Sequence, residues 1–268
     1  MLSVCATPIG NAGDVTLRVL AELREADVVL AEDTRHTRGL LARHGIEAKL
    51  LSYHEHNEAA RVEELLPRLL AGERVALVSD AGLPGVSDPG ARLVRAALDA
   101  GVAVTVLPGP SAVETALVAS GLVSERYAFV GFLPRKAGER TALWAELAGW
   151  RWPVVAFESP ARLGASLRSL ASFSPTRDVF VCRELTKQFE EVVRGTAAAL
   201  AERFAEAPKG EITLVLAPAA AEPDASRSAE AHAVVAELVA AGTPRKVAVE
   251  VVSRLTDMSR NDLYRTSL

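Results

Sequence analysis

The chain has 268 residues, 49% of them hydrophobic and 24% charged, with a net charge of −4. This is a globular composition long enough for two lobes, and no overall basic balance points to nucleic-acid binding, which leaves only a local basic face. The two cysteines, Cys5 and Cys182, rule out a disulfide framework and form no CxxC pair for zinc, so reduced thiols in a reducing compartment are expected.

In chain order, residues 2–7 predict a first strand, and Leu17, Leu20 and Leu23 give helical spacing across residues 15–26. A strand at 28–31, a helix at 34–44, a short strand ending at Leu51 and a helix at 58–71 follow. Residues 75–79 lack alternation, as in a strand buried on both faces. Asp88 before Pro89 reads as the N-cap of a fourth helix that Gly101 stops, and residues 102–107 form a fifth strand. Such alternation predicts a mostly parallel sheet covered by helices. The break at Pro108-Gly109-Pro110, with a helix at 111–120 after it, places a lobe boundary between residues 108 and 123. The second lobe has strands at 129–131, 154–157, 179–182 and 212–216, helices at 137–148, 160–172 and 197–205, and an expected mixed sheet. Residues 217–228, rich in Ala, Pro and Ser, read as a linker. Helices at 229–241, at 244–256 capped by Thr243, and from about Ser259, after a tight turn at Asp257-Met258-Ser259, make a small helical module. The expected division is an α/β lobe at 1–110, a second α/β lobe at 111–218 and the module at 226–268. No basic leader opens the sequence and no apolar run reaches the roughly 18 residues of a membrane span, so a cytoplasmic protein without membrane helices is expected.

Ligands of open parallel sheets bind beyond the carboxyl ends of the strands. Four unusual loops lie there. Thr7-Pro8-Ile9-Gly10-Asn11 fits neither the dinucleotide nor the phosphate-loop pattern, and its plain reading is a turn with Asp14 capping the next helix. Residues 79–90 (SDAGLPGVSDPG) carry three glycines and no Lys or Arg, which disfavours a phosphate and suits a neutral or cationic ligand such as a sulfonium. Ser111 and Glu114 form a capping-box pattern at a helix start able to receive a carboxylate. The polar runs at 32–38 and 53–58 hold His36, His54 and His56 without H-E-x-x-H spacing, so no metal site is expected.

Taken together, TPIGN, AEDTRHT, SYHEHNE, ALVSDAG with PGVSDPG, PGPSA, GFLPRK, FESP, RELTK and GE resemble the motifs of the tetrapyrrole methylase superfamily. They are most similar to its bacterial branch that methylates the ribose 2′-oxygen of a cytidine in the decoding region of small-subunit ribosomal RNA. The resemblance runs from Thr7 to Glu211. Two positions depart from it: Leu83, where a threonine is expected, and Ala161, where a histidine is frequent. The resemblance implies a two-lobed α/β fold, S-adenosylmethionine in the cleft between the lobes, and a homodimer. Its substrate would be small-subunit ribosomal RNA or the assembled subunit. It implies that Ile9, Asp80, Leu83, Ser111 and Ala112 line the cofactor from the first lobe and that Phe157, Arg183 and Glu211 approach from the second.

A ribose hydroxyl is a poor nucleophile, so a base or cation near it is needed. The candidates are Glu184, Lys187, Asp33 and His36; Lys187 acts as a base only with a lowered pKa and otherwise stabilises charge on the oxygen. Arg35, Arg38, Arg43, Lys136, Arg140 and Arg162 offer a local basic path, extended by Arg245, Lys246, Arg254, Arg260 and Arg265. The rival readings are a methyltransferase acting on a small tetrapyrrole and a non-catalytic nucleotide-binding module.

Overall fold

The computed structural model describes residues 1–219, 225–256 and 258–265. They form two compact units, Met1–Pro218 and a C-terminal unit from Ala219. Within the first unit lie two five-stranded sheets.

The first sheet is built from β1 (Leu2–Cys5), β2 (Val28–Ala31), β3 (Leu50–Ser52), β4 (Val75–Val78) and β5 (Val104–Leu107). Their order is β3-β2-β4-β1-β5, and every pair is parallel. β1, β2 and β4 are buried along their whole length, which explains their unalternating apolar sequences. Helices α1 (Leu17–Glu25), α2 (Thr34–Arg43), α3 (Glu58–Leu70) and α4 (Ala91–Asp99) connect them. Two apolar clusters cover this sheet, one around Leu30, Leu65, Leu77 and Leu93 and one around Val19, Val29, Leu41 and Ala76.

The second sheet contains β6 (Ala128–Phe132), β7 (Val154–Glu158), β8 (Asp178–Arg183), β9 (Glu191–Thr196) and β10 (Ile212–Leu216), in the order β6-β7-β10-β8-β9. Only β6–β7 is parallel, so the sheet is mixed as expected. Helices α5 (Ala112–Ala119), α6 (Ala137–Glu146), α7 (Pro160–Phe173) and α8 (Ala197–Arg203) accompany it. α5 packs on β7 and β10. Ile9 and Ala81 from first-sheet loops share one apolar cluster with Val113, Val155, Phe180 and Val215, so the two sheets meet through packed side chains.

The C-terminal unit holds α9 (Ala225–Ala240), α10 (Arg245–Thr256) and α11 (Arg260–Arg265) around Val235, Val249, Val252 and Leu263. Ser259 accepts the Asp262 N–H, capping α11. Among the described residues no helix is long and apolar enough to cross a membrane.

Several local expectations need correction. Asp88 does not cap α4: Gly90 does, with φ 141°, and its N–H donates to the Glu58 carboxylate at 2.8 Å. Thr16 rather than Asp14 caps α1, accepting from the Val19 N–H. Ser111 occupies the N-cap of α5 but caps no backbone group; its hydroxyl donates to the Glu114 carboxylate instead. β9 was not expected, because EVVRGT holds two charges and a glycine and shows no clean apolar alternation, yet it forms an edge strand. α9 begins inside the segment expected to be a linker; residues 220–224 of that segment, and Asp257 of the expected turn, lie outside the described residues.

Candidate functional site

The loops after β1, β4 and β5 converge. Thr7 and Gly82 pair as an isolated antiparallel bridge, Thr7 N–H to Gly82 O at 2.8 Å and Gly82 N–H to Thr7 O at 3.1 Å. The Thr7 hydroxyl also donates to Ser79 O at 3.0 Å. Gly82 has φ 75°, and a Cβ there would sit 3.9 Å from both Ile9 and the Pro110 carbonyl. The left-handed backbone is what the turn demands of this residue. Leu83 follows it, half-buried. Ala112, at the start of α5, and Phe157, at the end of β7, are half-buried against the same apolar cluster as Ile9. Phe157 stacks edge-on with Phe129 and Phe132, centroids 4.9 and 5.4 Å away.

Carboxylates gather under the loop after β4. Asp80 accepts the Asp33 N–H at 3.1 Å, so one of its oxygens holds the entry to α2. Burial, then the charge of Asp80, raises the pKa of Glu32. Burial, then Glu32, pushes Asp88 up to about 6, against the hydrogen bond from Ser79. The sequence reads Asp88 only as a helix cap and Glu32 only as part of a polar run, neither as a site residue; for Asp88 the signal is the absence of any cation from residues 79–90. An anionic, glycine-lined loop beside an apolar floor fits a cation with an apolar body. Ser111 caps none of the first N–H groups of α5; Glu114 accepts from its own N–H, and the others fit a carboxylate. S-adenosylmethionine has both features, so these residues fit that cofactor.

A cleft of about 360 Å³ lies beside these loops, and Ile9, His36, Asp80, Lys187 and Glu211 are in its wall. Lys187 comes from the turn after β8. Its Nζ donates to Glu184 at 2.9 Å and to Glu211 at 3.0 Å. Burial would lower its pKa, but these two carboxylates outweigh burial and raise it. A raised pKa keeps Lys187 an ammonium near neutral pH, the form that donates hydrogen bonds. Glu184 is held ionised, its pKa lowered first by the Glu211 N–H at 2.9 Å and then by Lys187. Glu184 and Thr186 both adopt left-handed backbone, at φ 53° and 66°. Such conformations persist in non-glycine residues only where surroundings enforce them. Gly10 supplies part of that enforcement: a Cβ there would lie 2.5 Å from Lys187 Cγ and 2.8 Å from Thr186 Oγ1. The Asn11 N–H donates to Thr186 Oγ1 at 3.0 Å. The loop after β1 thus seats directly on the lysine-bearing turn.

The remaining candidates stand outside the cleft wall. Asp33 caps α2, accepting the Arg35 N–H at 2.8 Å, and that bond holds its pKa low. Arg183 ends β8 and pairs with Glu191 at 3.1 Å. Ser111 faces Glu114, which also accepts from the Tyr127 hydroxyl at 2.6 Å. Of the nominated basic residues, Arg140 is buried and bonds Pro134 O, and Arg162 bonds Leu133 O and pairs with the buried Glu158. Both are internal ties, not a surface path. Arg245 bonds Tyr264 O and Arg260 pairs with Glu250. Both cysteines are buried, and burial pushes each thiol up to about 12, so neither is a nucleophile.

A family model described as tetrapyrrole (corrin/porphyrin) methylases matches residues 1–201. The chain is 44% identical over 270 residues to a ribosomal RNA small subunit methyltransferase I of Mesorhizobium japonicum, covering 100% of this chain and 91% of that protein. It is 42% identical over 271 residues to the protein of the same name from Synechocystis, covering 100% and 97%. Among solved structures, uroporphyrin-III-C-methyltransferase from Thermus thermophilus superposes with a TM-score of 0.60 at 22% identity, over 81% of this chain and 94% of that one. A diphthine synthase superposes at 0.60 and 17% identity, over 81% and 89%. These two structures share the fold. On the family match and the full-length similarity, the chain belongs to the tetrapyrrole (corrin/porphyrin) methylase family.

Proposed function

We propose that the protein transfers a methyl group from S-adenosylmethionine to the ribose 2′-hydroxyl of a cytidine in the decoding region of small-subunit ribosomal RNA. The observation that carries this reading is the Lys187 ammonium, pinned by Glu184 and Glu211 in the wall of a cleft that abuts the cofactor-compatible loops. Relatives named ribosomal RNA small subunit methyltransferase I, similar over the whole chain, support the choice of RNA as acceptor.

When bound, the cofactor supplies an electrophilic methyl on a positively charged sulfur. Ile9, Leu83, Ala112 and Phe157 provide apolar contact for it, and Asp80 contributes to an anionic field that favours the sulfonium. Ser111 presents the helix N-terminus to its carboxylate. Arg183 acts by fixing the end of β8 rather than by touching the cofactor. Lys187 donates to the acceptor oxygen and stabilises the negative charge that grows there as its proton leaves. Glu184 is a positioning residue for Lys187. Glu211 lies at the junction of the cofactor and acceptor sides. His36, exposed in the cleft wall, is the group left to take the proton; Asp33 serves as a helix cap. We further propose a cytoplasmic homodimer that acts on the RNA or the assembled subunit.

The test is an incubation with methyl-labelled cofactor and, in parallel, small ribosomal subunits or a porphyrinoid precursor. Label in the RNA supports the reading; label in the porphyrinoid alone refutes it.

A further inference from the structure

Beside His36, α2 carries two arginines and a glycine that the reaction itself does not explain. Of the α2 residues in the cleft wall, Arg35, Gly39 and Arg43 form an i, i+4, i+8 stripe on one face. Arg35 is 87% exposed in its side chain, and its one ion pair is a loose contact of 3.5 Å to Asp33 in the adjoining turn. Arg43 is exposed and, among the described residues, has no carboxylate within ion-pair distance. The two lie about 12 Å apart along the helix axis.

Between them stands Gly39. In a helix interior glycine is the least favourable residue after proline. Close packing does not call for it, since a Cβ at Gly39 would meet no atom within 4 Å. Its backbone is not left-handed either, because Gly39 is absent from the positive-φ glycines. The protein thus leaves an unfilled notch at the lip of the cleft, flanked by two exposed cations. Arg38, on the neighbouring face of the same helix, lines a separate depression with Leu41 and Ile46.

We propose that Arg35, Gly39 and Arg43 form the docking surface for the sugar–phosphate backbone of the RNA substrate. The arginines contact phosphates on either side of the reacting nucleotide, and the bare backbone of Gly39 lets the strand approach the helix. The proposal rests on the RNA reading above. It assigns the recognition of the strand to a face of α2, where neither arginine is needed for chemistry.

The experiment is fluorescence anisotropy of a labelled single-stranded decoding-region RNA, without cofactor, over a salt series. For single strands each phosphate contact contributes about 0.7 to the slope of log K against log salt. Arg35→Ala and Arg43→Ala should each reduce the slope by about 0.7 and the double variant by about 1.4. Arg35→Lys with Arg43→Lys should keep it, and Arg38→Ala should leave it unchanged. Gly39→Leu should raise Tm, because leucine favours the helix, yet weaken RNA binding. Unchanged slopes in both alanine variants, or an equal drop in Arg38→Ala, would overturn the docking surface. If wild-type protein still methylates subunits in that case, only the docking inference has failed. If wild-type protein neither binds the RNA nor methylates it, the RNA reading fails with it.

Discussion

The loops at the carboxyl end of the first sheet and the turn after β8 build the two halves of the cleft by different means. The first are backbone devices: the Thr7–Gly82 bridge, the left-handed Gly82 and a helix start that Ser111 leaves uncapped. The second is a charge device, in which two carboxylates pin one lysine and two non-glycine residues hold left-handed conformations. A backbone device tolerates many side chains and sets shape. A charge device depends on each member and sets reactivity. The difference assigns cofactor affinity to the first region and the rate of transfer to the second.

The largest expected effect comes from removing the centre of the charge device. Lys187→Ala should slow single-turnover transfer by about 10²–10³-fold, the usual cost of losing one donor to a developing oxyanion. Cofactor affinity measured by calorimetry should stay the same; a parallel loss of affinity would dissolve the division between the regions. Next is the contact between them. Gly10→Val places atoms where Lys187 Cγ and Thr186 Oγ1 now sit, so the lysine must move. A displacement of this order costs about 10²-fold in rate, and a rate like that of the wild type would show that the turn is not held by the loop.

Glu184→Gln should have a smaller effect on rate and a diagnostic effect on pH. The Glu184 charge helps to hold the Lys187 pKa up, so the alkaline limb of the rate profile should move to lower pH. A merely structural Glu184 would lower the rate and leave the limb in place.

Asp88 sharpens the other side. Its folded-state pKa is raised to about 6 from an ordinary 3.8, so the folded protein binds this proton more tightly than the unfolded chain. The penalty is absent below the ordinary pKa, and stability declines as pH rises through about 6. Asp88→Asn should therefore raise Tm more at about pH 7.5 than at about pH 4.5, and it should weaken cofactor binding at the higher pH, where the negative charge is lost. An equal Tm change at both values would contradict the burial of this carboxyl. The smallest effect belongs to Asp33→Ala, which should lower Tm slightly through loss of the α2 cap and leave the rate unchanged. A large fall in rate would return Asp33 to the catalytic candidates.

The same contrast explains what could be read from the sequence. Strand–helix alternation and glycine-rich strand ends are local signals, so the first sheet and the loop after β4 were legible. The roles of charged residues were not, because they depend on partners far away in sequence. Asp33 and Asp80 meet across the first sheet, and Glu184 is fixed by the backbone of Glu211. Arg140 and Arg162 looked like surface cations and proved to be internal ties. Asp88 preceded a proline as caps do, yet α4 starts after Gly90, whose N–H reaches Glu58 of α3, while the Asp88 carboxyl takes a hydrogen bond from Ser79. The stripe on α2 was present as an i, i+4 pattern, but only the cleft shows which of its three exposed arginines share a face.

The most direct measurement is mass mapping of nuclease fragments from small-subunit RNA after incubation with the purified protein and S-adenosylmethionine. The account predicts one added methyl, on the ribose of a cytidine in the decoding region, and its loss with Lys187→Ala despite unchanged cofactor affinity. A methyl on a base, or no methyl on the RNA at all, would contradict it.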